Sequence, residues 1–444
     1  MKRILSLLVA FLITLTSVFG NTGKSFAADT KLNLTAKYAV LMDYETGKVL
    51  YSKNGNSKLY PASTTKAWTA YIVIKHVPDL NQVIEIKDLP PIEGSSMYLK
   101  NGESFTVKQL LDGLLIHSSN DVAVVLANYV SGSVENFAKL MNEEAKAIGA
   151  KNTHFNNSNG LPDANHYTTA YDMALMAREA MSNEIFRKIV KTDSVHFEST
   201  KENPYIRNFG NTNKFLTSDK ETINYKGKEI PIKYDIVDGI KTGYTDEAGR
   251  CLLSSAVKNN MRLISAVFKT NGNNLYLDSR TLLDYGFDNF YTTTIINKKD
   301  YIDSKKVLFS QQKKLVYEPQ YSYKLVLPKG TKESEYTTEI KLDNVDLPIR
   351  KGDKVGTLEI HNGNKVEHTI NLVAKDNVNS IFAFVTENKA IMAALKILLL
   401  ILFILIIFVI FIIVKKKNRR NRRNRRKTKN IYSNKKYHYK KRRR

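Results

Sequence analysis

The stretch Tyr60-Pro61-Ala62-Ser63-Thr64-Thr65-Lys66-Ala67-Trp68-Thr69-Ala70-Tyr71-Ile72-Val73-Ile74-Lys75 sets a serine at the mouth of a helical pattern. Apolar residues recur at three- and four-residue steps from Thr65 to Lys75, which predicts a helix there. One turn separates Ser63 from Lys66, so hydroxyl and ammonium share a face. A serine hydroxyl at its ordinary pKa is a poor nucleophile and needs an adjacent base. Lys66 can be that base if its pKa is lowered, and partial burial and the positive end of a helix dipole both disfavour the ammonium form. Taken alone, the tetrapeptide reads more simply as Ser63 capping a helix with Lys66 in solvent, and order and context are what separate it from that reading. The same S-x-x-K spacing recurs at Ser255, Ser310 and Ser433, but only Ser63 opens a helical pattern.

Two further motifs follow in order. Ser118-Ser119-Asn120 lies between helical patterns at Val107–Leu115 and Val122–Val130. A second hydroxyl, Ser118, can pass a proton to a leaving group, and the Asn120 amide can hold both a carbonyl and the base. The alternative is a polar turn in which Asn120 or Asp121 caps the helix from Val122, and Asp121 is assigned to capping rather than catalysis. Lys241-Thr242-Gly243 occurs once. On an edge strand it offers a cation and a hydroxyl to a carboxylate, while Gly243 permits close approach of an extended substrate. A turn with a surface lysine is the alternative for that tripeptide.

Outward from these motifs the chain organises itself. Tyr38–Met42 and Lys48–Ser52 alternate around Glu45-Thr46-Gly47 as a β-hairpin, and helical patterns continue at Val134–Ile148 and Ala170–Met181. Strands return at Cys251–Val257 and Arg262–Phe268 around Asn259-Asn260. Strands at both ends with helices between imply an α/β (α+β) domain over residues 28–292, built on a mostly antiparallel sheet packed by helices. Residues 293–384 are β-rich, with runs at Tyr323–Leu327 and Lys354–Ile360, and predict a small all-β domain.

The 444 residues carry a net charge of +25, which raises nucleic acid or an anionic surface as a partner. The charge is polarised. Residues 415–444 hold eighteen Lys and Arg and no acid, Lys2, Arg3 and Lys24 lie in residues 1–27, and residues 28–395 retain only +3. Lys2 and Arg3 precede an apolar run from Ile4 to Phe19 and small residues Ser25 and Ala27, a secretory signal peptide (1–27) cleaved after Ala27. After a short stalk at 385–390, Ile391 to Val414 is apolar apart from Lys396 and long enough to span a ~30 Å hydrocarbon core. The cluster from Lys415 stays cytoplasmic by the positive-inside rule, which places the body on the outer face of the cell membrane. The tail reads as an anchor that attracts lipid headgroups; it has no folded platform for stacking bases, so nucleic acid is an unlikely partner. One cysteine, Cys251, excludes a disulfide framework and a multi-Cys zinc site, and eight scattered histidines without H-E-x-x-H argue against a metal centre. No cofactor is implied.

Taken together, YPASTTK (60–66), HSSNDVAVVLA (117–127), FNNSNGLPDANHYTTAYDMALMAREAM (155–181), NTNKFL (211–216), DGIKTGYTDEAGRCL (238–252) and LLDYGFDNF (282–290) resemble the low-molecular-weight penicillin-binding proteins. These are serine-type D-Ala-D-Ala carboxypeptidases of peptidase family S11, in the penicilloyl-serine-transferase superfamily. The resemblance covers roughly residues 35–290, and KGDKVGTLEI (351–360) is similar to the family's C-terminal β domain. It implies a β-lactamase/transpeptidase-like catalytic domain. Ser63 would attack the terminal D-Ala-D-Ala carbonyl of a peptidoglycan stem peptide, Lys66 would take its proton, and Ser118 would relay a proton to the leaving D-alanine. Asn120 would position substrate and base, Lys241 and Thr242 would bind the terminal carboxylate beside Gly243, and the backbone N–H groups of Ser63 and Tyr244 would form the oxyanion hole. β-Lactams would acylate Ser63.

Several positions depart from the family pattern. Ser119 is more often Gly, Thr217–Lys233 looks inserted and suggests a hairpin flap near the site, and Arg280 is offset from a carboxylate-binding Arg of many relatives. Cys251 is read as buried packing. Glu179-Ala180-Met181-Ser182-Asn183 has the E-x-x-x-N form of a β-lactamase deacylating motif, but it belongs to the helix after Thr169, where a solvated-face glutamate is the simpler reading. A β-lactamase-like hydrolase and a non-catalytic wall-binding or sensor protein stand as the alternatives.

Overall fold

The computed structural model describes residues 32–384 and 388–441, with side chains described as far as Arg425. The signal-peptide reading of residues 1–27 lies outside the described residues. The chain forms two compact units: residues up to Ile295 with Lys324–Lys332, and Ile296–Tyr323 with Glu333 onward.

The first unit is built on five antiparallel strands in the order β2-β1-β5-β4-β3, where β1 is Tyr38–Asp43, β2 Val49–Lys53, β3 Val237–Thr245, β4 Gly249–Lys258 and β5 Met261–Thr270. The N-terminal hairpin and the late strands meet through β1 and β5, with Tyr38 opposite Phe268 and Asp43 opposite Leu263. Asn259 and Asn260 both adopt positive φ (52° and 61°), the backbone a two-residue hairpin turn needs to match strand twist. Both sheet faces are covered, so β1 is buried at every position. Val40, Met42, Leu253 and Phe268 face one core, whereas Ala39, Leu41, Leu252 and Val267 face the other. That is the period-two alternation of a strand between two helical layers.

The first core is centred on α1 (Thr65–His76), in which every residue from Thr65 to Ile74 is buried. Around it pack α2 (Val107–Ile116), α3 (Asn120–Ser131), α4 (Val134–Ala147), α5 (Ala170–Ala180) and α6 (Glu184–Lys191). A capping box of Thr106 and Gln109 starts α2. The helix expected from Val122 begins earlier, at Asn120, with Ser119 as N-cap, so neither Asn120 nor Asp121 caps it. On the other face lies α7 (Asn274–Asn289), and with it the hairpin Thr222–Tyr225/Lys228–Pro231 from the inserted stretch. Ile223 and Ile232 bury themselves in that second core.

In the second unit five strands order β6-β7-β10-β9-β8, with β6 Asp303–Lys306, β7 Lys314–Pro319, β8 Tyr336–Leu342, β9 Lys354–Asn362 and β10 Lys365–Ala374. The run expected from Tyr323 to Leu327 forms a strand, Tyr323–Pro328, but pairs with Phe290–Ile296, and residues 324–332 belong to the first unit. Lys389–Lys441 is one helix, α8. Its Lys389–Arg425 part is long and apolar enough to cross a membrane, and the large apolar side chains from Ile397 to Val414 are all exposed.

Candidate active site

The sequence-predicted residues converge on one cleft of about 380 Å³, lined by Ser63, Ser118, Asn120, Thr242, Gly243 and Tyr244 among others. A 3-10 turn, Ala62–Thr64, feeds into α1 and carries Ser63. Ala62 sits at φ +50, a conformation costly for a residue with a Cβ. Ser63 caps nothing. Thr64 is the N-cap position of α1 and makes no side-chain cap bond, whereas Lys66 Nζ lies 2.8 Å from Ser63 Oγ. Lys66 also donates to the Asn159 carbonyl at 2.7 Å and is completely buried. Burial pushes its pKa well below the ordinary lysine value; the Lys241 ammonium pushes the same way, and Asp121 opposes them. The amine is therefore disposed to be neutral, and a neutral amine accepts a proton from a bonded hydroxyl.

Gly160 fixes the approach of the loop that supplies the Asn159 carbonyl. It adopts φ +85, and a Cβ there would lie 1.9 Å from the Ala62 carbonyl oxygen. Glycine alone allows that packing.

The Ser118-Ser119-Asn120 link between α2 and α3 holds Ser118 at φ +70, buried at the cleft wall. Asn120 is tied to a facing loop: its N–H donates to the Ser95 carbonyl (2.7 Å) and its Nδ2 to the Glu93 carbonyl (2.6 Å). Its Oδ1 is buried with no partner among the described residues. An acceptor left so in a cleft wall suits an incoming N–H. Asp121 takes on a role the motif did not reveal. Its carboxylate accepts from Ser96 Oγ (2.7 Å) and from the Met97 and Leu99 N–H groups (both 3.0 Å), strapping the loop that brings Gly94 and Ser95 to the cleft.

Strand β3 is the sheet edge, and Gly243 lies so close to the 3-10 turn that a Cβ would be 3.1 Å from the amide nitrogens of Ser63 and Thr64. Lys241 is buried and donates to the Thr242 carbonyl (3.2 Å) and, at 3.5 Å, to Thr212 Oγ1. Burial lowers its pKa to about 7. Thr242 Oγ1 meets Thr212 Oγ1 at 2.8 Å.

Three participants escaped the sequence reading. Thr212 and the Asn159 carbonyl lie inside segments that carry the resemblance, but only the fold brings them to the two lysines. Arg250 stands opposite Tyr244 in the β3–β4 register, lines the cleft and stacks on the Tyr244 ring at 4.7 Å. The inserted stretch forms the expected hairpin, but no residue of 217–233 lines the cleft itself; its Glu221 accepts from two lining residues, Lys214 (2.6 Å) and Asn273 (3.4 Å), while the hairpin's apolar face is buried near α7. Arg280 lies over the Tyr234 ring at 4.0 Å, away from the cleft lining. Cys251 is buried, its thiol pushed up to about 12 by burial. Glu179 is half-buried rather than solvated, accepts from Tyr71 Oη at 2.8 Å and does not line the cleft.

Among the described residues the cleft holds no cluster of metal-ligating groups. Such a cluster, Glu339, Glu359 and His361, occurs in the second unit, where Lys341 Nζ sits 2.6 Å from Glu359 and 3.5 Å from Glu339 as their counter-ion.

A family model described as D-alanyl-D-alanine carboxypeptidase matches residues 24–272, and one described as penicillin-binding protein 5, C-terminal domain, matches residues 290–380. The chain is 34% identical over 400 residues to D-alanyl-D-alanine carboxypeptidase DacF of Bacillus subtilis, covering 88% of this chain and 98% of that protein. It is 33% identical over 374 residues to D-alanyl-D-alanine carboxypeptidase DacC of Escherichia coli, covering 80% and 88%. Among solved structures, penicillin binding protein 5 from Haemophilus influenzae superposes with a TM-score of 0.64 at 29% identity, over 79% of this chain and 99% of that one.

Proposed function

The chain belongs to the D-alanyl-D-alanine carboxypeptidase family, the S11 peptidases, and from that premise we propose that it removes the terminal D-alanine of peptidoglycan stem pentapeptides through an acyl-enzyme on Ser63. The Lys66 Nζ to Ser63 Oγ contact of 2.8 Å, made by a buried amine disposed to be neutral, carries this reading. Lys66 withdraws the hydroxyl proton as Oγ adds to the scissile carbonyl. The developing oxyanion is held by the N–H groups of Ser63 and Tyr244, a type of donor pair in which one lost member costs ~3–4 kcal/mol. Ser118 relays the proton to the departing amine, C–N cleavage releases D-alanine, and water hydrolyses the ester by the reverse path. The Asn120 Oδ1, which has no partner among the described residues, accepts from the substrate amide. Gly243 lets the substrate lie against β3 as an added strand.

The terminal carboxylate fits the end of the cleft where Thr242, Thr212, Tyr276 and Arg250 converge. Lys241 contributes positive potential there, but an amine with a pKa near 7 is only part-charged at neutral pH. Arg250 remains charged throughout and presents a planar fork suited to a carboxylate. β-Lactams, which carry a comparable carboxylate beside an activated acyl group, acylate Ser63 in this reading. Trimming pentapeptides removes the acyl donors of cross-linking and so limits it.

The enzyme is held in the cell membrane by α8. Residues 28–292 form the catalytic domain and 293–384 the β-rich domain, both on the wall side, with the signal peptide removed and the basic tail cytoplasmic. Lipid is thus a partner through α8 and the tail.

The test is to incubate the full chain in detergent with diacetyl-Lys-D-Ala-D-Ala and with a fluorescent penicillin, beside Ser63→Ala. Both D-alanine release and stable labelling should vanish in the variant. Release or labelling that survives Ser63→Ala refutes the assignment.

A further inference from the structure

The second unit carries an apolar tip whose large side chains are exposed. Strands β6 and β7 are joined by residues 307–313, where Leu308 is 80% and Phe309 64% exposed. The chain just before α8 runs alongside: Ser310 bridges Ser380, the Ile381 N–H donates to the Phe309 carbonyl (2.8 Å), and the Gln311 N–H donates to the Asn379 carbonyl (2.9 Å). Ile381, Phe382 and Phe384 are thereby gathered beside the tip. Phe382 lies 6.1 Å from the Phe309 ring, and Phe384 is 72% exposed. Meanwhile the strands keep Leu315, Val355, Leu358, Ile370 and Leu372 inside. Two adjacent exposed rings, Phe309 and Phe382, with exposed Leu308, Ile381 and Phe384 next to them in the two paired segments, mark a contact site. Phe309 itself adopts φ +59, which a bulky side chain avoids, so the fold holds it in an unfavourable conformation at the tip.

The flanks of the tip are cationic. Lys305, Lys306, Lys313 and Lys314 are all exposed, and none forms an ion pair among the described residues. Lys306 stands opposite Lys314 in the ladder. Like charges facing across two strands are destabilising, and an external anion relieves them. An apolar tip between such lysines has the make-up of an interfacial membrane element.

Phe384 precedes the first residue of α8, Lys389, by five positions, a chain length that reaches at most ~18 Å. Where α8 enters the bilayer, the patch is necessarily near the surface.

We propose that residues 307–313 and 381–384 form a second membrane contact: Leu308, Phe309, Phe382 and Phe384 enter the headgroup–acyl boundary of an anionic phospholipid leaflet, and Lys305, Lys306, Lys313 and Lys314 bind its phosphates. This rests on the reading that α8 spans the bilayer. The contact restrains the second unit against the membrane, whereas α8 alone would leave it tethered by one strand of chain.

The sequence has one tryptophan, Trp68, which is buried in the first unit. Phe309→Trp in the full chain therefore adds a single reporter. The variant is reconstituted into vesicles of phosphatidylglycerol and phosphatidylcholine, with and without bromine on the acyl chains. The introduced indole should lose at least half its emission to the bromolipid and shift to the blue, and Lys306→Glu with Lys314→Glu in the same background should reverse most of that quenching. Quenching no greater than that of Trp68 in the parent overturns the proposal. So does an indole shielded from bromine and from aqueous iodide alike, the result expected if a second copy of the chain covers the patch. Alkaline carbonate extraction separates the two levels: a chain that washes off the vesicles refutes the anchor and this inference with it, whereas an inserted chain with an unquenched indole refutes the second contact alone.

Discussion

Gly160→Ala puts the nucleophile's position to a quantitative test. The new Cβ would start 1.9 Å from the Ala62 carbonyl oxygen, 2.5 Å from its carbon and 2.8 Å from Thr65 Oγ1. Two of these are backbone atoms of the turn that carries Ser63, so a rotamer change cannot relieve the clash. Opening the first contact to even 3.0 Å requires a displacement of about 1.1 Å, and a shift of ~1 Å in a reacting group costs on the order of 100-fold in rate. The left-handed backbone (φ +85) adds a conformational cost of about 1–2 kcal/mol. Gly149→Ala separates the two effects. Gly149 has φ +92 with nothing within 4 Å of the added Cβ, so it bears only the conformational cost, a Tm drop of about 2–8 °C. Stopped-flow acylation by a fluorescent penicillin, run well below both Tm values, is the assay. Gly149→Ala should acylate at the parental rate, and Gly160→Ala about 100-fold more slowly. Parental acylation in Gly160→Ala would show that the packing of Gly160 against the 62–64 turn does not set the position of the nucleophile, and would refute this account of how the turn is held.

Arg250→Gln should raise KM for diacetyl-Lys-D-Ala-D-Ala about tenfold or more with a smaller change in kcat, and leave turnover of the C-terminal amide analogue unchanged; an equal loss on both substrates means that Arg250 does not read the carboxylate. Arg207 and Glu103 form a buried ion pair at 2.8 Å, and Arg207 Nε also holds the Met97 carbonyl. Arg207→Met should cost about 3–5 kcal/mol in denaturant unfolding of the first unit by leaving Glu103 unpaired, and Arg207→Met with Glu103→Leu should recover much of it. For pH, the folded pKa of Lys241 is about 7 against 10.5 for the unfolded chain. Between those values the unfolded state binds a proton that the folded state lacks, so this group's contribution to stability rises with pH from about 7 to 10.5, by a few kcal/mol. Thermal melts across that range should show a shallower pH dependence for Lys241→Met than for the parent; parallel curves would mean that Lys241 is charged in the fold.

The sheet and helices of the first unit were legible because periodicity and turn residues are local signals: the β1/β2 hairpin, α1, and the Asn259-Asn260 turn all stand within a residue or two of where the sequence puts them. Ser63 with Lys66, and Lys241 with Thr242, were legible for the same reason, since three residues of helix or one of strand fix their spacing. The cleft's supports were not. Glu103 and Arg207 are 104 positions apart, Lys66 and the Asn159 carbonyl 93, Thr242 and Thr212 thirty, and nothing in either member of such a pair announces the other. Asp121 was read as a cap because an acidic residue at a helix start is normally satisfied locally; here the helix begins two residues earlier than expected, at Asn120, and the carboxylate, besides accepting from the adjacent Val122 N–H, reaches across to the Ser96 hydroxyl and the Met97 and Leu99 N–H groups. The 217–233 hairpin was visible as an insertion, but which way its apolar side chains face is a tertiary fact.

The same distinction explains how an ordinary motif becomes a reactive one. S-x-x-K occurs four times in the chain, and its chemistry at Ser63 depends on where the lysine ends: in α1 from Thr65 to Ile74 the sheet and the surrounding helices leave no exposed face, so Lys66 cannot reach water as a surface lysine does. Among the described residues the carboxylate that opposes this, Asp121, is itself engaged by three donors of the facing loop, while the positive charge of Lys241 adds to the effect of burial. The base is thus made by the packing of α1 more than by its own neighbours in sequence. Polar changes in the α1 core that admit water, far from any substrate contact, would restore the ammonium and weaken the hydroxyl's activation without touching a single motif residue.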